Sequence, residues 1–268
     1  MRIMVYVLLA LLLNGCAAQW KSDRDAALGM KLKIQRNATG DKNGIRPVTE
    51  QDLTAGDMLF SADDGGFNSL AIRLFTHTSV SHASIYLGEG EVAEAVGSGV
   101  RIISLQDALQ ENSLIAAYRR PDLNAQDIAA IQAFAREQAG EKYNLFGIVK
   151  QAPYSAVRKV CELPVIPRGF RHLCLNSAAL ITITPFSGEK YFCSQFVVAA
   201  FNHAGKPLTA VPPEWISPGD LLHMREGDIP SMVPAVPLQY IGHLSCSVSL
   251  WNKHCRIVPE QTAAAQLP

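Results

Sequence analysis

The stretch Ser81–Ala95, SHASIYLGEGEVAEA, leaves the chain little freedom. Ala83, Ile85 and Leu87 alternate with His82, Ser84 and Tyr86, which is the period-two pattern of a strand with two unlike faces. Gly88-Glu89-Gly90 supplies a turn and Glu91–Ala95 runs back, so the segment predicts an antiparallel hairpin. Pairing Leu87 with Glu91 sets His82 opposite Val96. Glu94 then lies diagonal to His82 on the same face, ~7–8 Å away along the backbone and within side-chain reach. A carboxylate in a strand otherwise made of Val and Ala asks for a reason. Antiparallel sheets often leave one face wet, so an exposed Glu94 also fits at this point.

The flanking segments extend the sheet and cover it. Met58–Phe60, Val100–Ile103, Leu114–Tyr118 and a region around Leu238–Val248 read as strands. Helical spacing marks Asn68–Phe75. Ser104 caps a short helix over Leu105–Glu111, and Asn124 caps a longer one that ends at Gly140. Phe196, Val197, Ala200, Phe201 and Ala204 recur on one face of a helix that starts at Cys193 and closes at Gly205. Pro207–Asp220 reads as a loop. Residues 150–190, with Pro153, Pro164, Pro167, Pro185 and two cysteines, read as an insertion. Strands in a run, with helices toward either end, imply an α+β class. The 268 residues suit one core with such an insertion.

The N-terminus stands apart. An apolar run from Ile3 to Leu13 is too short to span a bilayer but suits the core of a signal peptide. Leu13-Asn14-Gly15-Cys16 resembles the lipobox of bacterial lipoproteins, in which cleavage precedes a cysteine that carries lipid. Asn14 departs from the usual small or branched residue. Residues 1–15 are thus expected to be a signal peptide, and Cys16 the lipid site. Residues 16–50 are expected to be a polar linker, with a short helix near Asp23–Leu32. Ala17, rather than Asp, follows the cysteine, and by the lipoprotein resemblance this favours the outer membrane, facing the periplasm.

An oxidising compartment permits disulfides. With Cys16 on lipid, local spacing suggests the pairs Cys161–Cys174 and Cys246–Cys255 and leaves Cys193 over. A metal site at His243, Cys246, His254 and Cys255 has no CxxC pair to support it, so no metal or cofactor is expected. Twenty-four basic residues balance twenty-four acidic ones, without a basic run, and nothing argues for nucleic acid.

An unpaired cysteine is more often a core filler than a nucleophile. Thiol chemistry needs a thiolate, while an ordinary thiol has a pKa of ~8.5. A helix N-terminus lowers that barrier and offers free N–H groups to an oxyanion, and the helix beginning at Cys193 provides both. His82 is a candidate base, though His77, His172, His203, His223, His243 and His254 are no worse taken singly. Glu94 could orient the His82 imidazole and fix its tautomer.

SHASIYLG, then VAEA, then FCSQFV in that order resembles the permuted branch of the NlpC-type papain-like superfamily, and most closely the YaeF/YiiX-like lipoproteins. Gly56–Phe60 resembles the opening strand of that family, and Trp215–Leu221 its loop after the helix. The resemblance implies a circularly permuted papain-like fold over residues 51–255, an antiparallel sheet or small barrel packed on helices, with residues 256–268 as a tail. It implies Cys193 as nucleophile at a helix N-terminus, His82 as base and acid, and Glu94 as the orienting group. Tyr191, Trp215 and Ser217 become candidate cleft residues. Gln195 departs from the acidic residue expected two places after the nucleophile. The implied activity is a cysteine hydrolase that cleaves an amide, on a peptide or cell-wall substrate. A lipid amidase or thiol acyltransferase using the same triad, and a non-enzymatic envelope binding protein, remain open.

Overall fold

The computed structural model of the protein describes residues 18–22, 29–36, 38–62, 79–112, 114–141, 161, 174, 191–248 and 253–255. The signal segment, Cys16, the helix expected at Asn68–Phe75, most of the 150–190 insertion and the 256–268 tail lie outside the described residues. Strands β1 (Ala18–Ser22) and β2 (Met30–Ile34) form a separate hairpin. The main sheet contains β3 (Met58–Ser61), β4 (His82–Gly88), β5 (Glu91–Val96), β6 (Gly99–Ser104), β7 (Leu114–Arg119), β8 (Gln239–Val248) and β9 (Lys253–Cys255). Its order is β6-β5-β4-β3-β7-β8-β9, antiparallel at every step. Four helices accompany it among the described residues: α1 (Leu105–Glu111), α2 (Ala125–Glu137), α3 (Cys193–His203) and α4 (Pro218–His223).

The alternation in β4 now has a physical destination for each face. Ala83, Ile85 and Leu87 join Phe196, Val197, Ala200 and Phe201 of α3 in the larger core. Tyr86 joins Val92 and the α1 residues Leu105, Ala108 and Leu109 in a smaller one. The sheet is therefore covered on both sides at this point, and Glu94 is buried at 3% exposure rather than wetted.

The hairpin register differs by one step at its tip. Ile85↔Ala93 and Tyr86↔Val92 pair as expected, but Glu91 faces Gly88, not Leu87. The turn explains the shift: Gly88, Glu89 and Gly90 all have positive φ, at 91°, 52° and 73°, and the tight left-handed run leaves Leu87 as an extra residue.

Helix caps follow the sequence closely. Ser104 Oγ accepts from the Asp107 N–H, and Asn124 forms a reciprocal box with Asp127. Pro218–Asp220, read as the end of a loop, instead open the short helix α4. Ser217 caps it, Pro218 fills the first-turn position that needs no N–H, and Asp220 completes the capping box.

The segment read as a flexible linker is a second difference. Met30–Ile34 is a strand, not helix, because Met30, Leu32 and Ile34 alternate with Lys31 and Lys33. From Gln35 onward the chain is fastened to the body. Arg225 Nη1 donates to the Ala38 and Gly40 carbonyls, Arg225 Nη2 to the Arg36 carbonyl, and Gln35 Nε2 to the Ile229 carbonyl. Further along, the Val48 N–H donates to the His243 carbonyl and the His243 N–H to Arg46. Gly242 permits that approach, since a Cβ there would meet Val48 Cγ1 at 2.3 Å. The His243 ring hydrogen-bonds Thr39 Oγ1 at 2.8 Å and the Tyr240 hydroxyl, and burial pushes its imidazole down to about 4.

Candidate active site

Helix α3 brings Cys193 to the start of β4 because its apolar face is long enough to grip β4 and β5. Phe196, Val197, Ala200 and Phe201 are all fully buried there. Phe192 occupies the N-cap position and has no side-chain oxygen to satisfy the first-turn N–H groups. Cys193 is the free cysteine among the described residues and is 2% exposed. Its sulfur lies 4.0 Å from the Ser81 carbonyl, one residue before His82.

His82 stands between Cys193 and Glu94. Its Nε2 is 2.6 Å from Glu94 Oε2, and the ring also makes a hydrogen bond with the Cys193 side chain. An ionised carboxylate only accepts, so Nε2 carries the proton toward Glu94 and Nδ1 is the nitrogen left for the sulfur. Burial alone would lower the imidazole pKa. The bonds and charges of Cys193 and Glu94 outweigh it and raise His82 to about 10. Burial alone would likewise raise the Glu94 carboxyl, but the His82 bond, the His82 charge and Arg101 hold it below its ordinary value.

Arg101 is the residue that sequence reading missed. Its Nε donates to Glu94 Oε1 at 2.8 Å, and its Nη2 reaches Glu111 Oε2 at 2.6 Å. The signal was present in the chain: Gly97-Ser98 joins β5 to β6, and in that register Glu94 and Arg101 are direct cross-strand partners. Arg101 therefore holds the carboxylate that holds the imidazole. Arg101→Met is expected to lower kcat/KM by about 10–100-fold through a looser Glu94. Arg101→Lys should recover part of the loss, because an ammonium also neutralises the carboxylate but lacks the planar fork. Equal losses in both variants, tracking thermal stability, would reduce Arg101 to a structural role.

The other sequence candidates have mixed placements. Tyr191 packs its ring 6.2 Å from Phe134 and 6.1 Å from Phe196, so it supports α3 from the aromatic core. Trp215 lies in the short 3-10 turn Pro213–Trp215 and packs against the same core. Ser217 is buried, and its hydroxyl donates to Asp220 Oδ2 and accepts from the Asp220 N–H. Cys161 and Cys174 are disulfide-bonded. Cys246 and Cys255 are Cα partners across β8 and β9, but their side chains lie outside the described residues.

Residues 52–154 match the family described as permuted papain-like amidase enzymes, YaeF/YiiX, C92 family. The probable lipoprotein peptidase YaeF of Escherichia coli (strain K12) is 41% identical over 216 residues, spanning 80% of this chain and 78% of its own. The crystal structure of metalloprotein yiiX from Escherichia coli O157:H7 shares 16% identity at a TM-score of 0.41, covering 70% of this chain and 96% of that one. The last likeness is too distant to bear on the site. The first two include the His82–Glu94 hairpin or most of the chain around it, and on them this chain belongs to the YaeF/YiiX family of permuted papain-like amidases.

Proposed function

We propose that the protein is a lipid-anchored envelope hydrolase that cleaves an amide bond, in a peptide or cell-wall substrate, with Cys193, His82 and Glu94 as its catalytic triad. Family membership supports the hydrolase class, and the relative named a lipoprotein supports envelope association. The observation that carries the cysteine mechanism is the His82 ring, bonded to Glu94 at 2.6 Å and to Cys193 at the start of α3.

In the resting site His82 already carries a proton on Nδ1, toward the Cys193 sulfur, while Nε2–H stays on Glu94. The thiolate attacks the amide carbonyl, and the oxyanion is held in part by the Cys193 N–H at the helix start. Collapse breaks the C–N bond, His82 protonates the leaving amine, and a thioester remains. Water then attacks the thioester as His82 takes one of its protons. The carboxylic acid departs with the sulfur as leaving group, and the proton taken from water stays on His82, as at the start. Chain order is irrelevant to this sequence of steps, which depends on geometry alone.

Substrate class is tested by incubating the purified protein with muropeptides, peptide amides, fatty acyl amides and phospholipid. Release of amine from the peptide substrates is the expected result, and turnover of lipid alone would overturn the peptide assignment. Rapid alkylation of Cys193 by iodoacetamide below pH 8 is also expected. An inert thiol would favour a binding protein.

The raised His82 value predicts the pH profile. The imidazolium that protonates the leaving amine persists through neutral pH, so kcat/KM should hold on the alkaline side and fall only as pH rises through about 10. The same group adds stability that is fully present below its ordinary value of 6.5 and is lost as pH rises through about 10. An alkaline limb near 6.5 would contradict the ion-paired state of His82.

A further inference from the structure

Among the described residues, the apolar face most exposed to solvent lies on β2, outside the triad. Met30, Leu32 and Ile34 are 54%, 38% and 56% exposed, and their spacing puts all three on one face of the strand. Lys31 and Lys33 take the other face, and the Lys33 ammonium is bonded to the Gly227 carbonyl of the main body. The basic side of β2 is therefore turned toward the protein and the apolar side away from it. Single exposed apolar residues are ordinary, but three in line on a two-stranded hairpin mark a contact surface.

The occupant follows from where the hairpin begins. β1 pairs along the length of β2, from Ala18↔Ile34 to Ser22↔Met30, and Ala18 is two residues past Cys16. Two extended residues reach about 7 Å, so lipid on Cys16 keeps the start of β1 within the headgroup layer.

We infer that the β1–β2 hairpin seats the protein on the bilayer, with the Met30-Leu32-Ile34 face in the interfacial layer beside the acyl chains of Cys16. The inference rests on the lipid anchor of the proposed function. The contact so inferred is one of lying on the bilayer. Because Gln35 and Arg36 are fastened to Ile229 and Asp228, the seated hairpin also fixes how the main sheet faces the membrane.

The test uses the full chain, purified from membranes and reconstituted in vesicles of phosphatidylethanolamine and phosphatidylglycerol, with part of the lipid brominated near the glycerol end. In Leu32→Trp, the emission added over wild type should lose more than half its intensity to the brominated lipid, and in Lys31→Trp far less. Equal quenching of the two, or none in Leu32→Trp, overturns the inference. Shielding of Leu32→Trp from aqueous iodide without quenching by bromine, together with a crosslinked dimer, assigns the face to a second copy and also overturns it. The intact mass reports the acyl chains separately. An unacylated protein with quenched Leu32→Trp defeats the anchor and leaves the membrane face standing, whereas an acylated one without quenching defeats the membrane face alone.

Discussion

Cys193→Ala is expected to lower kcat/KM by about 10,000-fold or more, and His82→Ala to a comparable level. The double variant should be little worse than either single one, since the two groups act in the same bond-making step and their losses do not add. Glu94→Gln tests a different point. A carboxylate can only accept from Nε2, but an amide can also donate to it. Donation would place the ring proton on Nδ1, which faces the sulfur, and remove the base from the place where it is needed. A loss of about 100-fold or greater is therefore expected for a change of one atom in size, with the alkaline limb of the pH profile moving down from about 10 as the Glu94 charge disappears. Cys193→Ser serves as the folding control, because its side chain keeps the shape of the site. Activity in Cys193→Ala within ~10-fold of wild type on every substrate would end the mechanism, because no triad enzyme survives loss of its nucleophile at that level.

The site was legible because two of its members share one hairpin. Alternation placed His82 and Glu94 on a common face, and the pairing around Tyr86↔Val92 is the one the sequence implies. The tip was less legible, since Glu89 has to adopt a left-handed conformation that its residue type does not announce. Arg101 needed one more step of the same register argument, from β5 to β6. Cys193 could be placed at a helix start from the apolar face of α3, but its approach to His82 depends on how α3 lies across β4, a tertiary matter that spacing does not encode. The prolines around α4 concealed a helix although Ser217, Pro218 and Asp220 carry its capping pattern. Residues 35–48 were read as linker for a physical reason. Arg36, Ala38 and Gly40 offer backbone carbonyls to a distant arginine, Arg46 and Val48 pair backbone to backbone with His243, and any polar segment has such groups to offer.

That arginine leads to the largest expected effect on stability. Asp228 and Arg225 form an ion pair with side-chain exposures of 0% and 2%, their Oδ2 and Nε 2.8 Å apart. His223 Nδ1 also meets Asp228 Oδ2 at 3.0 Å, and Asp228 Oδ1 accepts from the Arg36 and Ile229 N–H groups. Burial alone would raise the Asp228 carboxyl, but His223, the Arg36 N–H and Arg225 together hold it well below its ordinary value. Removing the carboxylate leaves Arg225 buried with its charge uncompensated and frees two backbone N–H groups. Asp228→Ala should therefore cost about 3–5 kcal/mol, read as a lower denaturant midpoint at unchanged slope. Asp228→Asn should cost nearly as much, since its amide keeps the acceptor for Arg36 but brings no charge to Arg225. Because the folded carboxyl is the stronger acid, its stabilisation is fully present above the ordinary carboxylate value of 3.8 and is lost as pH falls below it. The wild-type advantage over Asp228→Asn should accordingly shrink as pH drops below 3.8 and stay level from there to neutrality. A loss under ~1 kcal/mol at neutral pH would mean that this pair is no stronger than a surface salt bridge. In that case the grip of Arg225 on Arg36, Ala38 and Gly40 would have to come from their backbone carbonyls alone.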